Sequence, residues 1–146
     1  MSVARLAYSD MKNDFISSGR AVSDMKAHLV LTTKYRRSVL SGAMLARLGE
    51  ILSDLCEKWQ CKVIEFNGEG NHVHLLFQYL PQMELPKFIG NVKSITSRRL
   101  RSEFPDEVNK VYWKDVLWNE SYFIASCGGV TVSILRKYIE AQDTPE

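Results

Sequence analysis

Two short runs with strict alternation of apolar and polar residues constrain this chain more than anything else in it. Lys62 to Asn67 (KVIEFN) and His72 to Tyr79 (HVHLLFQY) flank Gly68-Glu69-Gly70-Asn71. A period of two is the mark of a strand, and a Gly/Asn-rich break between such runs predicts a β-hairpin whose glycines supply positive φ. Along the second run Val73, Leu75, Phe77 and Tyr79 share one side, and His72, His74, Leu76 and Gln78 share the other. The apolar side must face a core. The two histidines are then neighbours on the opposite side, at the i, i+2 spacing that lets two imidazoles converge on one metal ion.

A loop over Gly68–Asn71 predicts a register with Asn67 opposite His72, Phe66 opposite Val73 and Glu65 opposite His74. That register keeps Ile64 and Phe66 on the core side. Glu65 then orients the His74 imidazole from behind or reaches the metal itself. Taken alone, an H-x-H tripeptide equally describes two surface histidines on a solvated strand. A zinc hydrolase needs further ligands close by, and His28 is the only other histidine in the chain.

The remaining elements are arranged around this hairpin. Residues 1–24 mix Ser, Asp, Asn, Arg and Gly irregularly and are expected to form a partly ordered arm ahead of a single domain over 25–146. Ala27–Thr33 reads as a strand, followed by the basic segment Lys34-Tyr35-Arg36-Arg37. Met44, Leu45, Leu48, Ile51, Leu52 and Leu55 recur at helical spacing and predict a helix from Ser41 to Trp59. A second amphipathic helix runs from beyond Pro86 to about Phe104, with Phe88, Ile89, Val92, Ile95 and Leu100 inward and Pro105 ending it. A loop leads to a strand around Ser121–Ala125. Gly128-Gly129 then breaks the chain, as an ordinary turn or as a hinge, before a last helix from Thr131 to about Gln142.

The order β, α, β, β, α, β, α predicts an α+β fold, an antiparallel sheet with helices on one face in a split βαβ arrangement. The other face is left available for chemistry. With 45% hydrophobic and 25% charged residues, the 146-residue chain has the make-up of one globular domain. A formal net charge of +2 is too small to name nucleic acid as a partner. The cysteines Cys56, Cys61 and Cys127 form no C-x-x-C pair and read as the reduced thiols of a cytoplasmic protein. No run approaches the roughly 18 apolar residues of a membrane span.

On the last helix, a turn of about 100° per residue places Val132, Ile139, Leu135, Gln142, Tyr138 and Ile134 along one arc, with Arg136, Lys137 and Glu140 opposite. Tyr138 and Gln142 are an i, i+4 pair contiguous with the apolar stripe. An amide there needs a polar partner once the helix docks, unless the helix has frayed before reaching it.

These segments together resemble a known family. HLVLTTKYRR from His28, EFNGEGNHVHLLF from Glu65, LWNESYFIAS from Leu117 and GGVTVSILRKYIEAQ from Gly128 stand in the order and spacing of the IS200/IS605 single-tyrosine transposases. Those enzymes carry an H-hydrophobic-H ("HUH") strand and a distant Tyr-x-x-x-Gln helix. The likeness spans about Met25 to Gln142, with Asn71 standing where the family often has Asp.

The resemblance implies a ferredoxin- or RRM-like HUH fold, His72, His74 and Gln142 as ligands of Mg²⁺ or Mn²⁺, and Tyr138 as the nucleophile. It implies a homodimer that cleaves and rejoins single-stranded DNA hairpins at insertion-sequence ends. A phenol of pKa about 10 is a poor nucleophile at neutral pH, and a divalent cation is the expected source of charge stabilisation. Lys34, Arg36 and Arg37 after the first strand, and Lys87, Arg98 and Arg101 on the second helix, are candidate phosphate contacts or plain solvated charges. A domesticated HUH nickase acting on chromosomal repeats, and a noncatalytic single-strand-binding module, are the competing readings.

Overall fold

The structure, a computed structural model, describes residues 16–18, 21–126 and 140–141. The last helix of the sequence reading, with Tyr138, Gln142 and the Gly128-Gly129 break, lies outside the described residues apart from Glu140 and Ala141.

Six strands and three α-helices are described: β1 (Ile16–Ser18), β2 (Ala21–Ser23), β3 (Met25–Thr32), α1 (Gly42–Lys58), β4 (Lys62–Glu69), β5 (His72–Tyr79), α2 (Leu85–Glu103), α3 (Pro105–Asn109) and β6 (Phe123–Ser126). Four strands form one sheet in the order β4-β5-β3-β6, every neighbouring pair antiparallel. Helix α1 joins β3 to β4 while β5 lies between them, which is the expected split arrangement. Two differences concern segments read as irregular. Within the expected arm, β1 and β2 pair antiparallel as a separate two-stranded sheet. Pro105 ends α2 and also opens α3, because a proline's missing N–H and fixed φ suit the first turn of a helix.

Local chemistry explains the helix limits. The Ser41 hydroxyl caps α1 by accepting from the Met44 amide at 3.2 Å. At the other end Gln60 adopts a left-handed φ of 58°. The Cys61 and Gln60 amides fold back onto the carbonyls of Cys56 and Glu57 at 2.8 and 3.1 Å, a Schellman closure without glycine. The inward stripe of α1 (Met44, Leu48, Ile51, Leu52, Leu55) and that of α2 (Phe88, Ile89, Val92, Leu100) bury Leu29, Leu31, Val73, Leu75 and Phe77 of the sheet. Burying one such side chain contributes about 1.5–3 kcal/mol. Phe88 meets Phe77 at 5.1 Å and Trp59 at 5.5 Å between ring centroids.

The hairpin is tighter than the sequence suggests. Its ladder continues through Asn67↔His74, Gly68↔Val73 and Glu69↔His72, leaving Gly70 and Asn71 as the turn. Gly68 is therefore a core-facing strand residue. A Cβ there would stand 2.7 Å from Leu45 Cδ2 and 2.8 Å from Val73 Cγ1, so the glycine admits α1 onto the sheet. Neither Gly68 nor Gly70 has a left-handed φ, contrary to expectation. A register shift between Val63 and Glu65 absorbs one residue. Val63 consequently packs against the helix-side core, while Ile64, though buried, does not belong to it.

Candidate active site

The β5 alternation sorts as the pattern requires: Val73, Leu75, Phe77 and Tyr79 are in the core, and His72 and His74 are half-buried on the opposite face. Their ring centroids are 5.1 Å apart with planes at 83°. Burial lowers both imidazole pKa values, leaving neutral rings suited to metal ligation; for His74 the nearby His72 and His28 add to the effect.

His72 Nδ1 lies 2.7 Å from Asn71 Oδ1. A carboxamide oxygen only accepts, so Nδ1 carries the proton and the Nε2 lone pair is left for a ligand. Asn71 thus provides at His72 the orientation the sequence reading sought from Glu65 at His74. Glu65 itself stands opposite Leu76, and Asn67 is the cross-strand neighbour of His74. The Glu65 carboxylate accepts from Asn67 Nδ2 at 2.8 Å. Among the described residues no group of three His, Cys, Asp or Glu side chains is placed to hold a metal ion. A metal ion at this pair would need further ligands from an amide or from residues beyond those described.

The histidine face is less open than expected. Val30 and Thr32 of β3 stand opposite His74 and His72, yet are only 0% and 1% exposed. The Thr32 hydroxyl and His28 Nδ1 are both buried without a hydrogen-bond partner. Unmet polar groups are costly in a finished core, and two of the three among the described residues lie on the histidine face.

Of the basic candidates, the structure brings one group to the histidines. Lys34–Arg36 form a 3₁₀ turn directly after β3, and the Arg36 charge helps to lower the pKa of His72. Lys87 pairs with Glu84 at 3.2 Å, Arg101 bonds to Ser97 and Asp115, and Arg98 is exposed. All three sit on α2, the helix packed on the other side of the sheet, and are not gathered at the pair. Sequence reasoning missed His28, which the β3 alternation puts on the same face, and the aromatic residues of the loops at this end of the sheet.

A split βαβ sheet carrying an H-hydrophobic-H pair on its central strand, on the side away from the helices, is the HUH endonuclease fold. Within that class the chain belongs to the IS200-like transposase family, whose profile ("Transposase IS200 like") matches residues 21–142. It is 34% identical over 125 residues to the ISDra2 transposase TnpA of Deinococcus radiodurans, covering 86% of this chain and 89% of that one. It is 32% identical over 117 residues to the transposase for insertion sequence element IS200 of Salmonella typhimurium, covering 80% and 76%. The crystal structure of a putative transposase from Deinococcus radiodurans superposes with a TM-score of 0.81 at 30% identity, covering 89% of this chain and 100% of that chain. A REP-associated tyrosine transposase bound to a REP hairpin shares the fold at a TM-score of 0.50 and 9% identity, covering 86% and 69%.

Proposed function

We propose that this transposase cleaves and rejoins single-stranded DNA at insertion-sequence ends, with Tyr138 as nucleophile and with His72, His74 and Gln142 holding Mg²⁺ or Mn²⁺. The observation that carries the reading is the imidazole pair itself: two neutral rings on one sheet face, one of them fixed by Asn71 with Nε2 left for a ligand. Two imidazoles and an amide oxygen form a mixed nitrogen and oxygen donor set that suits Mn²⁺ better than the harder Mg²⁺ and leaves coordination positions open. When bound, such an ion supplies charge stabilisation at the phosphoryl oxygens.

The chain's own part is to place a phenol in line with the scissile bond. As the Tyr138 oxygen bonds to phosphorus it gives up its proton; the bond from phosphorus to the 3′ oxygen breaks, and that oxygen takes up a proton. The products are a 5′-phosphotyrosine and a free 3′-OH. Attack by another 3′-OH reverses the exchange and rejoins the strand, with no external energy source because one phosphoester replaces another. Family membership supports the transposase activity, and the hairpin-bound structural relative supports hairpin DNA as substrate. A homodimer, with the tyrosine helix serving its own or its partner's site, belongs to the same proposal.

The test is incubation of labelled single-stranded hairpins from the DNA bordering the gene with wild type and Tyr138→Phe, with and without Mn²⁺. A denaturation-resistant protein–DNA adduct is expected for wild type with metal alone. An adduct formed by the Phe variant would assign the nucleophile elsewhere, and no adduct with wild type would overturn the reading.

A further inference from the structure

Large apolar side chains are rarely left in water, and here three of the described ones are exposed: Met25, Tyr35 and Trp113. Trp113 is 95% exposed and Tyr35 43%. They belong to two loops that are stitched together. The Lys34 amide donates to the Leu117 carbonyl at 2.8 Å, and the Tyr112 hydroxyl donates to the Lys34 carbonyl at 2.5 Å. Thr33 bridges Trp118, and the Asn119 amide donates to Thr32 at 2.7 Å. Each exposed ring is thus one residue away from the Tyr112–Lys34 bond. Tyr112, Leu117 and Trp118 are buried, so the loop that carries Trp113 is anchored while its indole is turned outward.

The first loop is also strained. Tyr35 and Arg36 have φ values of 57° and 53°, a conformation that non-glycine residues keep only when their surroundings fix it. The fixing bonds are Arg36 N–H to Thr33 O at 2.8 Å and the Thr33 hydroxyl to Arg37 O at 2.6 Å. The outcome is a tyrosine ring with Lys34 Nζ at 5.3 Å and the Arg37 guanidinium at 5.8 Å from its centroid. Lys110 and Lys114 flank Trp113 in sequence. Asp115, the acid closest to Trp113 in sequence, lies 3.4 Å from Arg101. The loop pair also borders the candidate site, since Thr32 faces His72 and the Thr33 amide donates to the Asn71 carbonyl at 3.0 Å.

We propose that Tyr35 and Trp113 are a base-stacking platform that holds unpaired nucleotides of the substrate strand beside the histidine pair, an inference that rests on the single-strand reading above. Aromatic faces interleaved with cations suit an alternation of bases and phosphates, and every base has a face to stack. Lys34 and Arg37 at the Tyr35 ring, and Lys110 and Lys114 near Trp113 in sequence, supply the positive charge that a phosphate backbone requires.

The test uses a fluorescein-labelled hairpin with single-stranded flanks, taken from the DNA bordering the gene, in which each flanking nucleotide is made abasic in turn. Wild type is expected to lose roughly 5- to 150-fold in affinity when the stacked base is missing. Trp113→Ala should bind the intact strand more weakly by a similar factor and be indifferent to that abasic site, while Trp113→Phe restores most of the binding. Tyr35→Ala should show the same pattern at a different nucleotide. Equal affinity of wild type and Trp113→Ala, or an abasic penalty that persists in the variant, overturns the platform. So does a loss of self-association in place of DNA binding. Thermal unfolding of each variant confirms that its fold is kept. Adduct formation with unchanged flank binding by Trp113→Ala would sink the platform alone, whereas no wild-type adduct would sink the nuclease reading with it.

Discussion

The two faces of the β3–β5 pair are made from the same strands and follow opposite rules. On the helix side Leu29, Leu31, Val73, Leu75 and Phe77 are buried among apolar neighbours. On the other side stand His72, His74, His28 and Thr32, with two polar atoms buried and unpartnered. One face is packed as a core, and the other sets half-buried imidazoles beside two buried polar atoms without partners. Substitutions on the first should therefore cost stability, and substitutions on the second should cost activity with the fold intact.

The sharpest contrast pairs Phe77→Ala with His74→Ala. Phe77 is fully buried, and its truncation should cost about 3–5 kcal/mol in urea unfolding. His74→Ala should leave that stability within about 1 kcal/mol while abolishing adduct formation. A large loss of stability in the histidine variant would erase the distinction between the faces. Next in size, Asn71→Ala removes the acceptor that fixes His72 and should lower Mn²⁺ affinity roughly 10- to 100-fold, with Asn71→Asp retaining function. Unchanged affinity would mean that His72 needs no such support.

Gly68→Ala sharpens the comparison from the core side. The new Cβ would meet Leu45 Cδ2 at 2.7 Å and Val73 Cγ1 at 2.8 Å. Leu45 can give, but buried Val73 is stiff at χ1 and the His72 carbonyl stands 3.3 Å from the new atom, so a cost of about 1–3 kcal/mol is expected in denaturant unfolding. The smallest effect is in pH. Both imidazole pKa values are lowered in the folded protein from the ordinary 6.5, mainly by burial. Above 6.5 folded and unfolded chains both hold these rings neutral. As pH falls below 6.5 the unfolded chain binds protons first, so stability of the metal-free protein should decline toward the folded values. Glu69, Glu65, Arg36 and His28 also act on these rings, so the comparison is with a His72→Gln/His74→Gln double variant, whose decline should be shallower. An equal slope in both would remove the histidines as its cause.

Much of this was readable from the chain, because alternation along β5 assigns a face to each residue whatever the register. The partner of each histidine was not. Gly68 looks like a turn residue in sequence, whereas its role is to leave room for Leu45, and that steric need appears only once α1 is docked. The ladder runs two residues further as a result, which replaces Glu65 by Asn67 as the neighbour of His74. The shift at Ile64 was hidden for a similar reason, since a bulge has no composition of its own. The paired strands β1 and β2 are three residues long each, too short for a periodic signal. Tyr35 and Trp113 carried a usable cue, aromatic residues set among lysines and arginines, but their exposure depends on how the two loops are tied.

The claim underlying all of this is that the histidine face binds a divalent ion. Titration of the folded, metal-free protein with Mn²⁺, following the free ion by electron paramagnetic resonance, tests it directly. Wild type should take up the ion, and a His72→Ala/His74→Ala variant of unchanged thermal stability should not. Equal uptake by both would place the metal elsewhere and contradict the account.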